Sequence, residues 1–376
     1  MPNDEELSLH SFISNWLLSV SNDSTNSMSR FDSDGFVIVP SRPSSRSSHL
    51  PSRSGHPDSV SSSHTSRRLI ADFHYRRLNL AANHVFLRNS KYQLPDSVST
   101  LVGEIKQDRD CPVLSPQRIE RLEQIEMDVE EIEVQEFFLQ TVFADRPGTN
   151  LKRTIGMPMV KKSVPNTSIQ YRISTPTPDI LFGYEESSFK SMASQMLLLG
   201  RDPVANTPGT TFPFLNVEFK GDGPSGGGTF WECTNQCLGG SACCINILQQ
   251  LNKQAKIPVD ATTFSIAMTG TEARVFVSWK EGVDYNTIKV KSFLLSEPDG
   301  FIGFQKVVLN IIDWGLGKRL RDIQTSLGSV GGKETHPLSD AESPGGKRRK
   351  TTPQSKTSTT LKSTGATSNK SKSATP

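Results

Sequence analysis

An α/β (α+β) fold, with a mixed central β-sheet flanked by helices, is predicted by three observations. Two apolar runs, Ile180–Leu181–Phe182 and Phe212–Pro213–Phe214–Leu215–Asn216–Val217, have the length and composition of buried strands. A later pair, Thr262–Met268 and Ala273–Trp279, brackets the turn-like Thr269–Gly270–Thr271–Glu272 and reads as a hairpin. Patterns with helical spacing lie before, between and after these runs, which is the arrangement of a sheet covered by helices.

Within the 376 residues only about 67–327 is expected to fold as a domain. The hydrophobic fraction is 34%, and the polar residues gather at the ends. Residues 41–66 hold twelve Ser in 26 positions without apolar periodicity, so 1–66 is expected to be mostly disordered. Inside it, Leu9, Phe12, Ile13, Trp16 and Leu17 suggest a short amphipathic helix near 7–20, suited to docking on the domain or to a partner. Residues 328–376 are rich in Ser, Thr, Lys, Gly and Pro and are expected to form a disordered basic tail.

The elements follow in order. Leu69–Phe86 alternates apolar and basic residues and is expected to be helical. Asp96 is expected as an N-cap, with Val98, Leu101 and Val102 at helical spacing behind it. Ser115–Pro116 offers a cap and a first-turn proline for a long helix running to about Phe143. Ser168–Arg172 and Ile180–Gly183 read as strands, Ser188–Leu199 as an amphipathic helix, and Phe212–Lys220 as a strand. Gly221–Thr229 has five Gly in its first eight positions and reads as a flap without the Gly-Lys-Ser/Thr ending of a nucleotide loop. A helix over Phe230–Lys253, the hairpin, a strand over Ile288–Leu295 and a helix over Gly303–Leu327 with Trp314 in the core complete the series.

The net charge of +3 is unevenly placed. Residues 331–376 carry nine Lys or Arg against three Asp or Glu, hence +6, which leaves −3 for residues 1–330. That balance counts modestly against tight non-specific DNA binding by the core, where phosphate neutralisation supplies most of the affinity, and leaves a local basic groove open. The five Cys are odd in number and show no disulfide framework, as in a reducing compartment. Cys233, Cys237 and Cys244 share a helical stripe with Gly240 and read as small residues that let a helix approach the sheet. No secretory signal or membrane span is expected.

The chemistry concentrates on three residues. On a strand, Glu218 and Lys220 project to one face while Phe219 projects to the other. Asp179 opens the earlier apolar run, so pairing of the two runs brings two carboxylates and an ammonium together. Oxygen ligands for a hard cation beside a positive side chain are what Mg²⁺-dependent phosphodiester cleavage requires. The alternative is structural, a cross-strand Lys–Glu pair with Asp179 capping a turn. A second copy of the pattern, Pro95–Asp96 with Glu104–Ile105–Lys106, falls on a helix, where Glu104 and Lys106 do not face each other.

Pro178–Asp179 followed by Glu218–Phe219–Lys220 resembles the PD-(D/E)XK nuclease superfamily. The stretches Asn79–Leu80–Ala81–Ala82–Asn83–His84, Thr234–Ala242, Phe264–Arg274 and Ile311–Gly315 are similar to a fungal family of uncharacterised nuclease-like proteins, over roughly 67–327. The resemblance implies a restriction-endonuclease-like core and a Mg²⁺ (or Mn²⁺) site on Asp179 and Glu218, with Lys220 catalytic. It also implies an accessory Glu on the helix before the Asp strand, Glu133 or Glu136, and a polar residue on the following helix, Gln236. A surface role for the Glu and an amide cap for Gln236 are the structural alternatives. Nucleic acid is the implied partner.

Lys347–Arg348–Arg349–Lys350 is a compact basic run in the polar tail. It fits recognition by a nuclear import receptor and hence a nuclear location, the alternative being a solvated tail on a cytoplasmic protein. Two functions are therefore expected: a metal-dependent nuclease acting on DNA or RNA, or a nuclease-like domain that binds nucleic acid or protein without cutting.

Overall fold

The computed structural model of the chain describes residues 69–111, 114–126, 130–221 and 228–331. The expected helix near 7–20, the Ser-rich segment, residues 222–227 of the glycine-rich loop and the basic run Lys347–Lys350 lie outside these residues.

The strands are β1 (Val85–Leu87), β2 (Leu151–Ile155), β3 (Ile180–Tyr184), β4 (Thr211–Phe219), β5 (Thr263–Met268), β6 (Glu272–Glu281) and β7 (Asp284–Leu294). They form one mixed sheet in the order β1-β7-β6-β5-β4-β3-β2. The pairs β1–β7 and β4–β5 are parallel and the others antiparallel. β3, β4 and β5 are interior strands, each paired on both sides, and are buried along their whole length, which is why their sequences read as continuous apolar runs.

The helices are α1 (Asp96–Ile105), α2 (Pro116–Glu126), α3 (Glu131–Thr141), α4 (Ala193–Leu199), α5 (Phe230–Asn252), α6 (Pro298–Trp314) and α7 (Leu320–Gly328). The 23-residue α5 crosses one face of β4 and β5. Its approach is set by Gly240, where a Cβ would stand 2.7 Å from the Asn216 side chain on β4. The small-residue stripe has that packing role, with Cys233, Cys237, Cys243 and Cys244 all buried. The other face is closed by aromatics: Phe219 packs on Phe138 and Phe143, and Phe143 also meets Phe182 and Phe304. Between α6 and α7 a π-helical turn, Gly315–Arg319, brings the buried Arg319 to the carbonyls of Thr262 and Pro213. Trp314 is half-buried, edge-on to Phe214 and Phe264.

Several local expectations are corrected. Leu69–Phe86 is not one helix: it contains the π-helical turn Arg76–Leu80, a left-handed His84 at φ 61°, and then β1. Asp96 is the first residue of α1 rather than its cap, and Pro95 holds the cap position. The long helix from Pro116 is two helices, the second restarting after Glu130. β2 is an additional edge strand with a half-exposed, polar sequence. Ser168–Arg172 is not a strand. Asn83 takes over its backbone instead, accepting from the N–H groups of Thr167 and Ser168 and donating to the Tyr171 carbonyl, while Asn79 donates to the Arg172 carbonyl. The expected helix over Ser188–Leu199 is a 3₁₀ segment, Glu186–Met192, followed by α4.

Candidate functional site

β3 and β4 run antiparallel with Ile180 opposite Val217, so the next step outward sets Asp179 opposite Glu218. Directly opposed residues share a face with Cβ atoms about 4.5–5.5 Å apart. Asp179 Oδ2 also accepts the backbone N–H of Phe219 at 2.7 Å, which fixes the Asp179 carboxylate against the end of β4. Lys220 follows one residue after β4; its Nζ donates to the Phe219 carbonyl and lies 3.6 Å from Glu131 Oε2. The sequence-predicted Asp179, Glu218 and Lys220 are thus brought together on the α5 side of the sheet.

Burial grades across the cluster. Asp179 and Glu131 are half-buried, Lys220 is 8% exposed and Glu218 is 1% exposed. Both carboxylate oxygens of Glu218 are shut from solvent without a hydrogen-bond partner. Burial, reinforced by the neighbouring Asp179 carboxylate, pushes the Glu218 carboxyl well above its ordinary value of 4.5. Burial opposes the charge of Lys220, but the surrounding Cys233, Glu131, Asp179 and Glu218 outweigh it, and the ammonium is held above its ordinary value. Lys220 is therefore a cation at neutral pH and not a proton acceptor.

The helix before the Asp strand contributes, though not through the expected residues. Glu133 and Glu136 both face solvent. Glu131 takes the place next to Lys220, and Gln135, one turn on, reaches the Asp179 carbonyl at 3.5 Å. Gly221 lets this happen, since a Cβ there would meet the Glu131 backbone nitrogen at 2.9 Å. Gln236 on α5 is half-buried with its Oε1 shut from solvent and unpartnered. Among the described residues it makes no recorded hydrogen bond to Asp179, Glu218 or Lys220.

α5 begins beside this cluster. Thr229 caps it, accepting from Glu232 N at 3.3 Å while Glu232 Oε2 accepts from Thr229 N at 3.1 Å. Gly228 precedes the cap at φ +96°, and a Cβ there would stand 2.7 Å from Lys220 Cδ. Cys233 Sγ, in the first turns of α5, donates to the Glu218 carbonyl at 3.1 Å.

Two carboxylates, a carbonyl oxygen and an ammonium make a hard-cation environment. Among the described residues there is no group of three His, Cys, Asp or Glu placed to hold a metal by side chains alone. That donor set suits Mg²⁺, which commonly takes one or two carboxylates and keeps several waters. The orphaned Glu218 oxygens fit the same ion, because a buried carboxylate without a donor is costly unless a positive partner arrives. A separate surface cavity of about 210 Å³, lined by Glu104, Asp260, Trp314, Lys318, Arg319 and Asp322, contains none of these residues.

Residues 143–327 match the family described as Domain of unknown function (DUF7924). The match spans a little under half of the chain and takes in Asp179, Glu218, Lys220 and Gln236, while Glu131 and the Asn79–Asn83 clamp lie before it. No curated protein matches the chain. Among the described residues, no helix is long and apolar enough to cross a membrane.

Proposed function

We propose that the chain is a metal-dependent phosphodiesterase of the PD-(D/E)XK type, hydrolysing DNA or RNA at Asp179, Glu218 and Lys220. The observation that carries this reading is Glu218 itself, both of its carboxylate oxygens buried and lacking donors beside Asp179, which precedes β3 where the register extends toward Glu218. A solvated salt bridge or a turn cap does not call for a carboxylate in that state.

Asp179, Glu218 and the Phe219 carbonyl would hold Mg²⁺ or Mn²⁺. When bound, such a cation neutralises phosphate charge and acidifies a bound water. Burial and the neighbouring Asp179 disfavour the Glu218 carboxylate, and a bound cation would offset both. Asp179 is held in place by the Phe219 N–H, which fixes the direction of its carboxylate. Lys220 stays protonated, orients the attacking water and balances the charge that develops on the non-bridging oxygens. Glu131 and Gln135 are positioning residues, acting through the Lys220 ammonium and the Asp179 backbone. Water adds to phosphorus as the bond to the leaving ester oxygen breaks, giving a phosphomonoester end and a hydroxyl end.

Cleavage of labelled DNA and RNA with Mg²⁺, against the same reaction in EDTA, tests the reading. Activity is expected in the wild type and is expected to fall at least about a hundredfold in Asp179→Asn, Glu218→Gln and Lys220→Met. Persistence in all three variants removes the mechanism. The depth of Glu218 favours a second reading, a domain that binds nucleic acid without turnover, and Mg²⁺-independent binding with no cleavage would select it. Import into the nucleus through Lys347–Lys350 belongs to the same proposal and is tested by the location of a tail-deleted chain.

A further inference from the structure

Exposed aliphatic side chains gather on the insert between β3 and β4. That insert joins the C-terminal end of β3 to the N-terminal end of β4, whereas Asp179 precedes β3 and Glu218 lies near the end of β4. Its helix α4 ends in four consecutive apolar residues, Met196–Leu199, more than one helical stripe can bury. Met196 and Leu199 pack on the core, and Leu197 and Leu198 are left 82% and 62% exposed. Leu198 Cδ1 stands 2.9 Å from where a Cβ on Gly331 would be. Two residues back, Ser329 Oγ accepts the backbone N–H of Ile257 at 3.1 Å, and Ile257 is 52% exposed. The three residues thus lie about the C-terminal end of α7. An exposed leucine by itself is ordinary; adjacent leucines with an isoleucine across the same helix end form a patch.

Charge and chain length select the occupant. Within four residues of Leu197, Leu198 or Ile257 the charged residues are Arg201, Asp202, Lys253, Lys256 and Asp260, and Asp202 is held by Lys162 at 2.8 Å. The surroundings are mildly basic. Residues 1–29 hold Asp4, Glu5, Glu6 and Asp23 and no Lys or Arg. Directly after the first three acids comes the stripe Leu9, Phe12, Ile13, Trp16 and Leu17. Residues 21–68 connect it to Leu69 and reach up to about 150 Å when extended, enough for any face of the domain. Three side chains offer roughly a few hundred Å², short of the about 800 Å² per partner that a stable interface between free proteins buries. A segment of the same chain needs less, because its effective concentration is on the order of millimolar.

We propose that this patch is the seat of the chain's own residues 7–20, docked as an amphipathic helix. Leu9, Phe12, Ile13, Trp16 and Leu17 cover Leu197, Leu198 and Ile257, and Asp4, Glu5 and Glu6 lie toward Arg201 and Lys256. The contact caps the end of α7 and holds the insert against it. It involves neither Asp179 nor Glu218, so it stands or falls apart from the hydrolytic reading.

The test is hydrogen exchange of the full-length chain, read by mass spectrometry at several protein concentrations. Phe12→Ser with Trp16→Ser is expected to speed exchange over 193–199 about tenfold. Leu197→Ser with Leu198→Ser is expected to speed exchange over 7–20 by a similar factor, with β4 unchanged. Neither effect is expected to depend on protein concentration. Neutralising Asp4, Glu5 and Glu6 together is expected to speed exchange over 193–199 more at low salt than at high salt. Exchange over 193–199 that ignores the Phe12 and Trp16 changes overturns the proposal. So does protection that grows with protein concentration, which would seat a second copy on the patch. Should the leucine variant loosen β4 as well, the Phe12 and Trp16 variant, which alters no residue of the patch, decides the question.

Discussion

Asp179 Oδ2 accepts the backbone N–H of Phe219 at 2.7 Å, so the carboxylate that precedes β3 is clamped to the residue separating Glu218 from Lys220. One hydrogen bond ties both ends of the proposed site to a single geometry. Asp179→Ala removes a bond to a charged acceptor and is expected to cost about 1.5–3 kcal/mol of stability. Asp179→Asn keeps an acceptor and is expected to cost less, while both variants lose divalent-cation binding. Denaturant melts alongside Mn²⁺ titrations check the pair, and equal stability loss in the two variants would contradict the clamp.

Glu218 is expected to behave as a functional residue that costs stability. Its folded pKa lies above the unfolded value, so the folded state binds the extra proton between the two. Stability from this group is fully present below about pH 4.5 and is lost as pH rises through the raised folded value. Glu218→Gln removes that loss. In EDTA at neutral pH it is expected to gain about 1–2 kcal/mol, or roughly 2–8 °C in Tm. A variant less stable than the wild type at every pH would argue that the carboxylate has a structural partner.

Cation binding should inherit the same titration. A ligand carboxyl that is protonated in the free protein must release its proton when a cation binds. Mn²⁺ affinity is expected to rise with pH below the raised pKa of Glu218 and to level off above it. Calorimetry in buffers of different ionisation enthalpy reads the released proton directly. Binding without proton release, or with pH-independent affinity, would place the ion elsewhere.

Asn83 lies far from residues 167–171 in sequence yet holds that segment in place. Its side chain meets the Asn79 and Tyr171 carbonyls and the Thr167 and Ser168 N–H groups while fully buried. Asn83→Ala leaves those groups without their partner and is expected to cost about 2–4 kcal/mol. Hydrogen exchange is expected to rise across 166–173 before it rises in β4. A uniform increase over the whole sheet would mean that Asn83 supports the domain generally.

Much of the site was legible because β3 and β4 are interior strands, buried along their whole length. Their continuous apolar runs end at Asp179 and Glu218–Lys220, and period two alone puts Glu218 and Lys220 on one face. Glu131 was not legible. In Glu126–Glu136 the apolar Met127, Val129, Ile132 and Val134 nearly alternate with acidic residues and set no clear helical phase, so which Glu faces the site depends on where α3 restarts after Glu130. β2 was hidden by its half-exposed edge position and β1 by its three-residue length. Ser168–Arg172 has strand composition, but the Asn83 side chain outcompetes a ladder for its backbone groups.

The most direct measurement is anomalous diffraction from crystals soaked in Mn²⁺. A peak bonded to carboxylate oxygens of both Asp179 and Glu218, present in the wild type and absent in Glu218→Gln, is the predicted result. Soaked wild-type crystals at neutral pH with no peak there, and with the Glu218 oxygens still unpartnered, would contradict the assignment of this cluster as a cation site.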